Sequence, residues 1–343
     1  MNPIEEWLTA ESVWWAGRLG GPAALKLVDH EAAGDPVPVG DVPAGAAVRR
    51  LPGTLLPGLL DAHVHSALVD MATVRAGGIA AVWDLGGVPE KVAELRARAA
   101  RPGSGLPRMA VAGPFLTAPG GYPSDRPWAP PGSWREIRSA GDAAAAVAQC
   151  RAVGAELVKV TANASGPMLP APVLRAVVDA AHADGLPVVV HAEGPGTVAA
   201  ACDAGADLLA HTPWTEALDD GLLRAAAVTM TWISTLDIHG WGTPTPGRET
   251  AVGNLRRFLG YGGSVRYGTD LGNGPLPPGV NIREIRALLD VGLNPDQVLQ
   301  AMTGDPVGRE PSWIAGGLDL DPGRFPDVLG TARVVGPEVR PRR

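Results

Sequence analysis

Apolar runs of strand length alternate with helical stretches along most of the chain, and this alternation predicts the fold. From residue 53 onward the strand-like runs lie at 54–65, 78–85, 107–113, 156–161, 186–191, 206–211, 228–235 and 264–270. Helical stretches between them lie at 89–100, 142–153, 171–183, 196–204, 218–226 and 249–259. Nearly continuous apolar strands that alternate with helices are typical of a parallel sheet buried on both faces. Eight such units predict an α/β protein with a (β/α)8 TIM barrel. A doubly wound open sheet is the alternative, but no Gly-x-Gly-x-x-Gly motif follows the first strand.

The two ends of the chain follow a different pattern. Residues 1–52 hold short β-type runs broken by Gly and Pro, which predict a small antiparallel sheet. Two further helices are expected at 281–290 and 295–302, and short strands at 312–314 and 327–329. We expect the tail to rejoin the N-terminal sheet. The predicted organisation is therefore a discontinuous small β-sheet domain, residues 1–52 plus 313–343, and a barrel over residues 53–312.

Composition narrows the range of partners. The 343 residues carry a net charge of −7, with 45% hydrophobic and 19% charged residues. Because no basic cluster is present to neutralise phosphates, a nucleic-acid partner is not expected. The acidic start of the chain lacks the order of a signal peptide, and no apolar run reaches membrane-spanning length. Cys150 and Cys202 are isolated thiols, which we expect to be buried and inert. These features predict a cytoplasmic protein with a small-molecule substrate, and association between copies is left open.

Polar residues lie at the ends of the predicted strands, where a barrel places its catalytic groups. They are His63 and His65, Lys159, His191, His211 and Asp270. His63 and His65 are two residues apart, so on a strand both imidazoles point to the same face. A single histidine of this kind is commonly a structural residue bonded to backbone. Four of them with a carboxylate, all at strand ends of one barrel, indicate a site for Zn²⁺, Mn²⁺ or Fe²⁺.

Lys159 interrupts an apolar strand in a chain that has three lysines and otherwise uses arginine for positive charge. The structural interpretation is a side chain whose stem packs in the wall while its amine reaches solvent. The functional interpretation is a site that needs a neutral amine, which arginine cannot supply because its guanidinium does not deprotonate in proteins. Beside metal ions a neutral lysine amine can add CO2, and the resulting carbamate has two oxygens that can bridge two ions. We favour the functional interpretation.

Several stretches in the same order along the chain carry a family resemblance. They are residues 55–65, 82–87, 113–114 with 120–121, 190–194, 204–211, 267–270, 301–306 and 322–329. On these stretches the chain resembles the amidohydrolase superfamily, in the branch of imidazolonepropionase-like and prolidase-like metal-dependent hydrolases.

The resemblance implies a binuclear metal centre, most simply with zinc, and manganese or iron as alternatives. His63, His65 and Asp270 would bind the more buried ion, and His191 and His211 the more exposed one. Carboxylated Lys159 and a hydroxide would bridge the two ions. The implied activity is attack of that hydroxide on an amide-type C–N bond, linear or cyclic, as in an N-acyl amino acid or a dipeptide. Asp270 would take the hydroxide proton and pass it to the leaving group.

Substrate contacts are predicted from the loops that follow the strands. The candidates are Tyr122, Asn163, Trp214, His239, Trp241, Arg248 and Asn273. The aromatic residues favour a partly apolar, cyclic or aromatic substrate, unless they only pack the loops against the barrel. Arg248 could pair with a carboxylate. The chain has Gly120-Gly121-Tyr122 where many relatives have Gly-Gly-His, so the contact at this position is expected to differ.

Other functions remain open from the sequence. A one-metal deaminase or imidazolone-type hydrolase on the same fold usually has a Glu three residues after the strand-five histidine, whereas His191 is followed by Ala192-Glu193-Gly194. Those enzymes also have no need of Lys159. An ester or lactone hydrolase would use the same hydroxide. From a different class, the chain could be a small-molecule binder that retains the fold without catalysis.

Overall fold

A computed structural model of the chain describes residues 3–336. Its strands are β1 (Glu5–Trp15), β2 (Arg18–Gly20), β3 (Ala23–Val28), β4 (Glu31–Ala32), β5 (Val37–Pro38), β6 (Val48–Leu56), β7 (Leu60–Val64), β8 (Ala81–Asp84), β9 (Arg108–Val111), β10 (Phe115–Thr117), β11 (Trp134–Glu136), β12 (Val158–Asn163), β13 (Val188–Glu193), β14 (Leu208–Leu209), β15 (Thr231–Ile233), β16 (Ser264–Arg266), β17 (Ser312–Ile314) and β18 (Arg333–Val334). Its α-helices are α1 (Met71–Ala76), α2 (Pro89–Ala99), α3 (Ala140–Ala152), α4 (Ala171–Ala183), α5 (Thr197–Ala204), α6 (Asp220–Thr229), α7 (Pro246–Gly260), α8 (Ile282–Val291), α9 (Pro295–Ala301) and α10 (Phe325–Leu329).

Parallel strands form a closed barrel. One run has the order β7-β8-β9 and the other the order β11-β10-β12-β13-β14-β15-β16, with all neighbours parallel. The runs join on one side where Glu156 N donates to Val111 O at 3.1 Å. They join on the other side where Ala62 N donates to Tyr267 O at 3.0 Å and Val64 bridges Leu271. The predicted barrel fold is confirmed.

The alternation of residues along β12 explains how the barrel directs side chains into its mouth. Val158 and Val160 pack outward in the large core between strands and helices. Leu157 instead belongs to the core inside the ring. Because side chains two residues apart on a strand share a face, Lys159 points to the same side as Leu157. The helices follow the predicted ranges to within a few residues, and α4 spans the predicted range without change.

The ends of the chain form a second sheet of eight strands. Its main order is β18-β17-β6-β1-β3-β4, with β2 paired to β1 and β5 to β3. The tail rejoins this sheet as expected, since β17 pairs antiparallel with β6. The sheet is mixed and not purely antiparallel, because β1 and β6 run in the same direction. Strand β6 runs on to Leu56, beyond residue 52, where the N-terminal part of the predicted small domain ends.

Three local expectations were wrong. The predicted strand 54–65 is interrupted between β6 and β7 by Pro57-Gly58, where a Cβ on Gly58 would lie 2.4 Å from Glu310 O. The predicted strand 327–329 lies in helix α10, whose first turn contains Pro326. Cys150 is buried as expected, but Cys202 is partly exposed. Within residues 3–336 no helix is long and apolar enough to cross a membrane.

Candidate metal centre

The six residues predicted as metal ligands line one cavity. Its volume is about 250 Å³, and it lies where the barrel strands end. His63 is at the end of β7, Lys159 is in β12 and His191 is in β13. The complete lining is His63, His65, Leu68, Phe115, Tyr122, Trp128, Lys159, His191, Glu193, His211, Trp214, Ile238, Asp270, Gly272 and Asn273.

Asp270 and the two histidines of the first strand converge on one point. The Nε2 atoms of His63 and His65 each lie 3.1 Å from Asp270 Oδ1. The His63 contact lacks hydrogen-bond geometry, so its buried Nε2 has no hydrogen-bond partner within the described residues. Asp270 has a φ of 57°, a left-handed backbone conformation that is rare outside glycine. Strained backbone of this kind clusters at functional sites because it aims a side chain.

The far sides of three imidazoles are held by the barrel wall. His63 Nδ1 lies 2.8 Å from Ala210 O, and His65 Nδ1 lies 3.3 Å from Gly86 O. His211 Nδ1 lies 2.9 Å from Thr235 Oγ1. A carbonyl oxygen only accepts, so Nδ1 of His63 and of His65 carries the proton and Nε2 keeps a free lone pair. This is the arrangement in which proteins orient a metal-binding imidazole.

His191 is held through its other ring nitrogen, Nε2, and not through Nδ1. Its Nε2 lies 3.0 Å from Glu193 Oε2, and Asn163 Nδ2 donates to the same oxygen at 2.9 Å. Because the carboxylate occupies Nε2, the lone pair that remains for a metal ion is on Nδ1. Glu193 therefore sets the tautomer of His191.

Burial keeps the imidazoles of His63, His191 and His211 neutral. It lowers the pKa of His191, and it lowers the pKa values of His63 and His211 well below their usual range. Burial alone would raise the pKa of Asp270, but the surrounding imidazoles outweigh it and hold that pKa well below its ordinary value. Neutral imidazole and ionised carboxylate are the forms that bind divalent transition metals.

Lys159 is almost fully buried, with 1% of its surface exposed. Burial lowers the pKa of its amine to about 7, and the charge of Asp270 opposes this shift. A substantial fraction of the amine is therefore neutral near pH 7, as the addition of CO2 requires.

The donor set of the cavity fits a divalent metal ion. His63, His211 and Asp270 each offer a ligand atom within 4.8 Å of the others. This trio differs from the predicted partition, in which His63 and His211 serve different ions.

Three of the seven predicted substrate contacts line the cavity: Tyr122, Trp214 and Asn273. Asn273 Nδ2 donates to Asp270 Oδ2 at 2.9 Å, so it holds the carboxylate. Tyr122 stacks on His191 with ring centroids 4.8 Å apart. Burial raises the pKa of the Tyr122 phenol, so the phenol stays protonated. Trp214 lies edge-on to His211, with a centroid distance of 5.4 Å.

The other four predicted contacts lie outside the lining. Asn163 is buried and holds Glu193, so it supports the wall. His239 packs against Trp214 at 4.8 Å, and the charge of Arg248 adds to the burial that lowers the pKa of His239 to about 4. Trp241 is 44% exposed and covers Gly274.

Sequence reasoning did not identify the role of Glu193, which lines the cavity and holds His191. The two-residue spacing could have predicted this contact, because a residue two positions after His191 on the same strand faces the same side. The supporting role of Thr235 had no such pattern. It depends on a contact between separate segments, and its φ of 41° is visible only in the structure.

Comparisons with known proteins identify the fold. No protein-family model matches the sequence, and no curated protein matches it. A solved structure of a Xaa-Pro dipeptidase with bound methionine is 18% identical over 97% of this chain and 98% of that chain, with a TM-score of 0.76. The ochratoxinase of A. niger is 17% identical over 96% and 92% of the two chains, with a TM-score of 0.77. A solved amidohydrolase is 18% identical over 98% and 100%, with a TM-score of 0.78.

These likenesses define the class by fold. The chain is a (β/α)8 barrel with an attached β-sheet. More particularly, it has the fold of the amidohydrolases, from one end of the described chain to the other. The resemblance seen in the sequence is confirmed at the level of the fold.

Proposed function

We propose that this protein is a metal-dependent hydrolase that cleaves an amide-type C–N bond with two divalent metal ions, zinc being the first expectation. One observation carries the proposal. His63, His65, Lys159, His191, His211 and Asp270 line one cavity, and the four imidazoles are each held from the side opposite a free lone pair. If these residues had only a structural role, nothing would explain why all six side chains line one cavity.

In the proposed centre His63, His65 and Asp270 would hold one ion, while His191 through Nδ1 and His211 through Nε2 would hold the other. Carboxylated Lys159, formed when the neutral amine adds CO2 and releases one proton to solvent, would supply carbamate oxygens as further ligands. When bound, such ions polarise a carbonyl and make water reactive at neutral pH.

The residues of the chain then supply proton transfer and orientation. Asp270 is ionised, so its carboxylate can accept the proton of the attacking water and return it to the leaving nitrogen. Asn273 fixes the orientation of this carboxylate through Oδ2. Tyr122 and Trp214 place aromatic surface in the wall of the cavity.

Asp270→Asn tests the role of the proton acceptor. The amide keeps the shape and one oxygen ligand but cannot accept a proton, so kcat should fall by about 10²–10⁴-fold. Much of the metal should remain, as measured by elemental analysis of the purified variant. A kcat close to that of the wild type would remove Asp270 from the mechanism.

The substrate is proposed to be of dipeptide size with an apolar or aromatic part. The small cavity and its rings support this, as do the neighbouring structures named as a dipeptidase and an ochratoxinase. The test is a panel of N-acyl amino acids, dipeptides, cyclic amides and lactones, assayed with added Zn²⁺ or Mn²⁺. We expect turnover of amides with about two metal ions per chain. About one ion per chain would favour the one-metal alternative, and turnover of lactones alone would overturn the proposed bond specificity.

A further inference from the structure

Four segments of the chain around the cavity contain no charged side chain. They are residues 66–69, 127–132, 238–245 and 271–281. None of them holds an Asp, Glu, Lys or Arg, although 19% of the whole chain is charged. Each contributes to the lining of the cavity, through Leu68, Trp128, Ile238, Gly272 and Asn273. The single histidine among them, His239, is neutral, because burial lowers its pKa to about 4. The surroundings of the cavity are therefore unusually apolar.

Three large apolar side chains of these segments are exposed. All ten tryptophans lie within residues 3–336, and Trp128 and Trp241 are the two that are exposed, at 39% and 44%. Leu68 is 49% exposed. Leu68 and Trp128 also line the cavity, so both present apolar surface to the cavity and to solvent. Exposed apolar side chains that cluster beside a cavity mark a binding surface.

Trp128 and Leu68 lie next to the same histidine. The rings of Trp128 and His65 have centroids 6.2 Å apart. The backbone amide of Leu68 donates to His65 O at 2.9 Å. The two apolar side chains therefore belong to one part of the cavity wall.

Leu68 and Trp241 pack against one loop. A Cβ on Gly272 would lie 3.1 Å from Cβ of Leu68, and a Cβ on Gly274 would lie 2.5 Å from the ring of Trp241. The missing side chains of these two glycines let both apolar groups approach the loop closely. Together Trp128, Leu68 and Trp241 form what we call the apolar strip, which leads from the cavity to the surface.

The strip adjoins Asp270. Gly272 is two residues after Asp270, and Asn273 donates to Asp270 Oδ2 at 2.9 Å. In the proposed mechanism Asp270 returns a proton to the leaving nitrogen, so this nitrogen lies beside the carboxylate. A group carried by the nitrogen then leaves the cavity over the strip.

We propose that the substrate is an amide whose leaving amine carries a long apolar chain, and that this chain lies on the apolar strip. The cavity of about 250 Å³ holds the reacting amide and groups of dipeptide size, and the chain continues outside it. The assignment of the chain to the leaving amine rests on the proposed hydrolase function, whereas the strip as a site for an apolar chain does not.

The position of the strip favours a chain over a partner protein. Leu68 and Trp128 belong to the cavity wall, so a protein that covered them would obstruct the entry of substrate. A chain attached to the substrate covers the same surface without this conflict.

Chain binding is tested with N-butylacetamide and N-octylacetamide, titrated by calorimetry into the metal-loaded protein. The octyl amide should bind about tenfold more tightly, because its four additional methylenes bury apolar surface on the strip. In Trp241→Asn this ratio should fall to about threefold or less. Asparagine suits the test because Trp241 has a φ of 49°, a left-handed conformation that asparagine tolerates. A ratio of affinities is unaffected by a loss of metal that weakens both amides alike.

The matched control is Val228→Gln, which removes an apolar side chain that is 85% exposed. Val228 lies at the end of α6 that leads into the start of β15, whereas the cavity lies where the strands end. This variant should keep the tenfold ratio. Equal affinities of the two amides for the wild type, an unchanged ratio in Trp241→Asn, or an equal loss in Val228→Gln would each overturn the inference. A dimer in sedimentation that Trp241→Asn dissociates, without any preference for the octyl amide, would assign the strip to a second copy and overturn it too.

Two isomers test the side of the amide on which the chain lies. N-octylacetamide and N-ethyloctanamide have the same composition, but the long chain is on the amine in the first and on the acyl group in the second. We expect kcat/KM for the first to be higher by about tenfold or more. Equal values would overturn the assignment to the leaving amine.

The same measurements separate this inference from the proposed function. Tighter binding of the octyl amide without hydrolysis of any amide would contradict the hydrolase and leave the strip intact. Hydrolysis of the butyl and octyl amides with equal kcat/KM and equal affinity would contradict the strip and leave the hydrolase intact.

Discussion

Lys159 shows how one residue can carry a functional hypothesis. Burial of a charged amine in the middle of an apolar strand costs free energy, and for this reason burial lowers the pKa of Lys159 to about 7. No ordinary packing requirement calls for an amine at this position. The proposed carbamate gives the amine a use that explains both its burial and its place among the imidazoles.

Lys159→Arg is the direct test. The guanidinium cannot lose its proton or add CO2, so the variant should lose bound metal and activity together. Elemental analysis and kcat of the purified protein give the two measurements. Lys91→Arg is the control, because Lys91 is exposed on α2 and should tolerate the change. Two bound ions in Lys159→Arg would rule out a bridging role for the lysine.

The positions of the ligands could be predicted because strand ends and the two-residue period are visible in the sequence. The groups that hydrogen-bond to the far sides of these ligands could not be predicted. Ala210 O holds His63 across 147 residues of chain, and Thr235 holds His211 from the end of the neighbouring strand of the ring. Such contacts exist only once the barrel has closed, so no local pattern encodes them.

At the scale of elements, Asp61 joins the first barrel strand to the segment after the last one. Its Oδ2 accepts from Thr269 Oγ1 at 2.6 Å, and its Oδ1 accepts from Thr269 N at 3.0 Å. Oδ1 also accepts from His63 N at 3.1 Å. This buried carboxyl therefore fixes both the closure of the ring and the backbone of a proposed ligand.

Thr269→Val should destabilise the protein by about 1–3 kcal/mol, because it removes a donor from a buried carboxyl without changing the shape of the side chain. The free energy of unfolding from chemical denaturation measures the effect. Thr212→Val is the matched control, since the Thr212 hydroxyl is buried without a hydrogen-bond partner among the described residues. It should be neutral or stabilising. Equal effects of the two substitutions would contradict the closure role of Asp61.

Glu284 on α8 anchors the segment after β15. Its carboxyl accepts from the backbone amides of Leu236 at 3.0 Å and of Asp237 at 2.7 Å. Burial raises its pKa from 4.5 to about 7, although these hydrogen bonds oppose the shift. Between these two values the folded protein holds a proton that the unfolded chain has released, so stability falls as pH rises through this window.

Glu284→Gln should remove this pH dependence because an amide does not titrate. The variant lacks one acceptor and should be less stable than the wild type near about pH 5. Its deficit should shrink by about 2–3 kcal/mol toward about pH 8, as measured by denaturation at each pH. Glu94→Gln on the surface of α2 should follow the wild-type curve. A deficit that stays constant with pH would show that Glu284 is ionised throughout.

Element boundaries were predictable where periodicity and capping agreed. Helix α4 follows Pro170, and α9 begins with a capping box at Asn294 and Gln297. Short segments were not predictable in the same way. Residues 327–329 are too few for a strand period to be told from a helical one, and the packing of Phe325 and Leu329 in the core decides for a helix.

At the scale of the whole molecule, the alternation of strands and helices was enough to predict the barrel. The substrate could not be predicted in this way, because it depends on how loops from separate strands meet over the mouth. Trp128, Trp214 and Glu193 come from three different connections or strand ends, and only the closed ring brings them to one cavity.

Because the proposed ligands come from separate segments of the barrel, bound metal ions would cross-link these segments. The six proposed ligands come from five segments and line one cavity, and five of them are buried, His65 being the exception. An ion bound to the folded state alone stabilises it by about 4 kcal/mol at a thousand times its dissociation constant. A chelator should therefore lower the melting temperature of the metal-loaded protein by about 5–10 °C, as measured by calorimetry. Added Zn²⁺ should restore it. The double variant His63→Ala, His211→Ala should melt at one temperature with or without the chelator. If the wild type also showed no shift while releasing its metal, the ions would bind without holding the ring together, and the strand ends would owe their arrangement to the barrel alone.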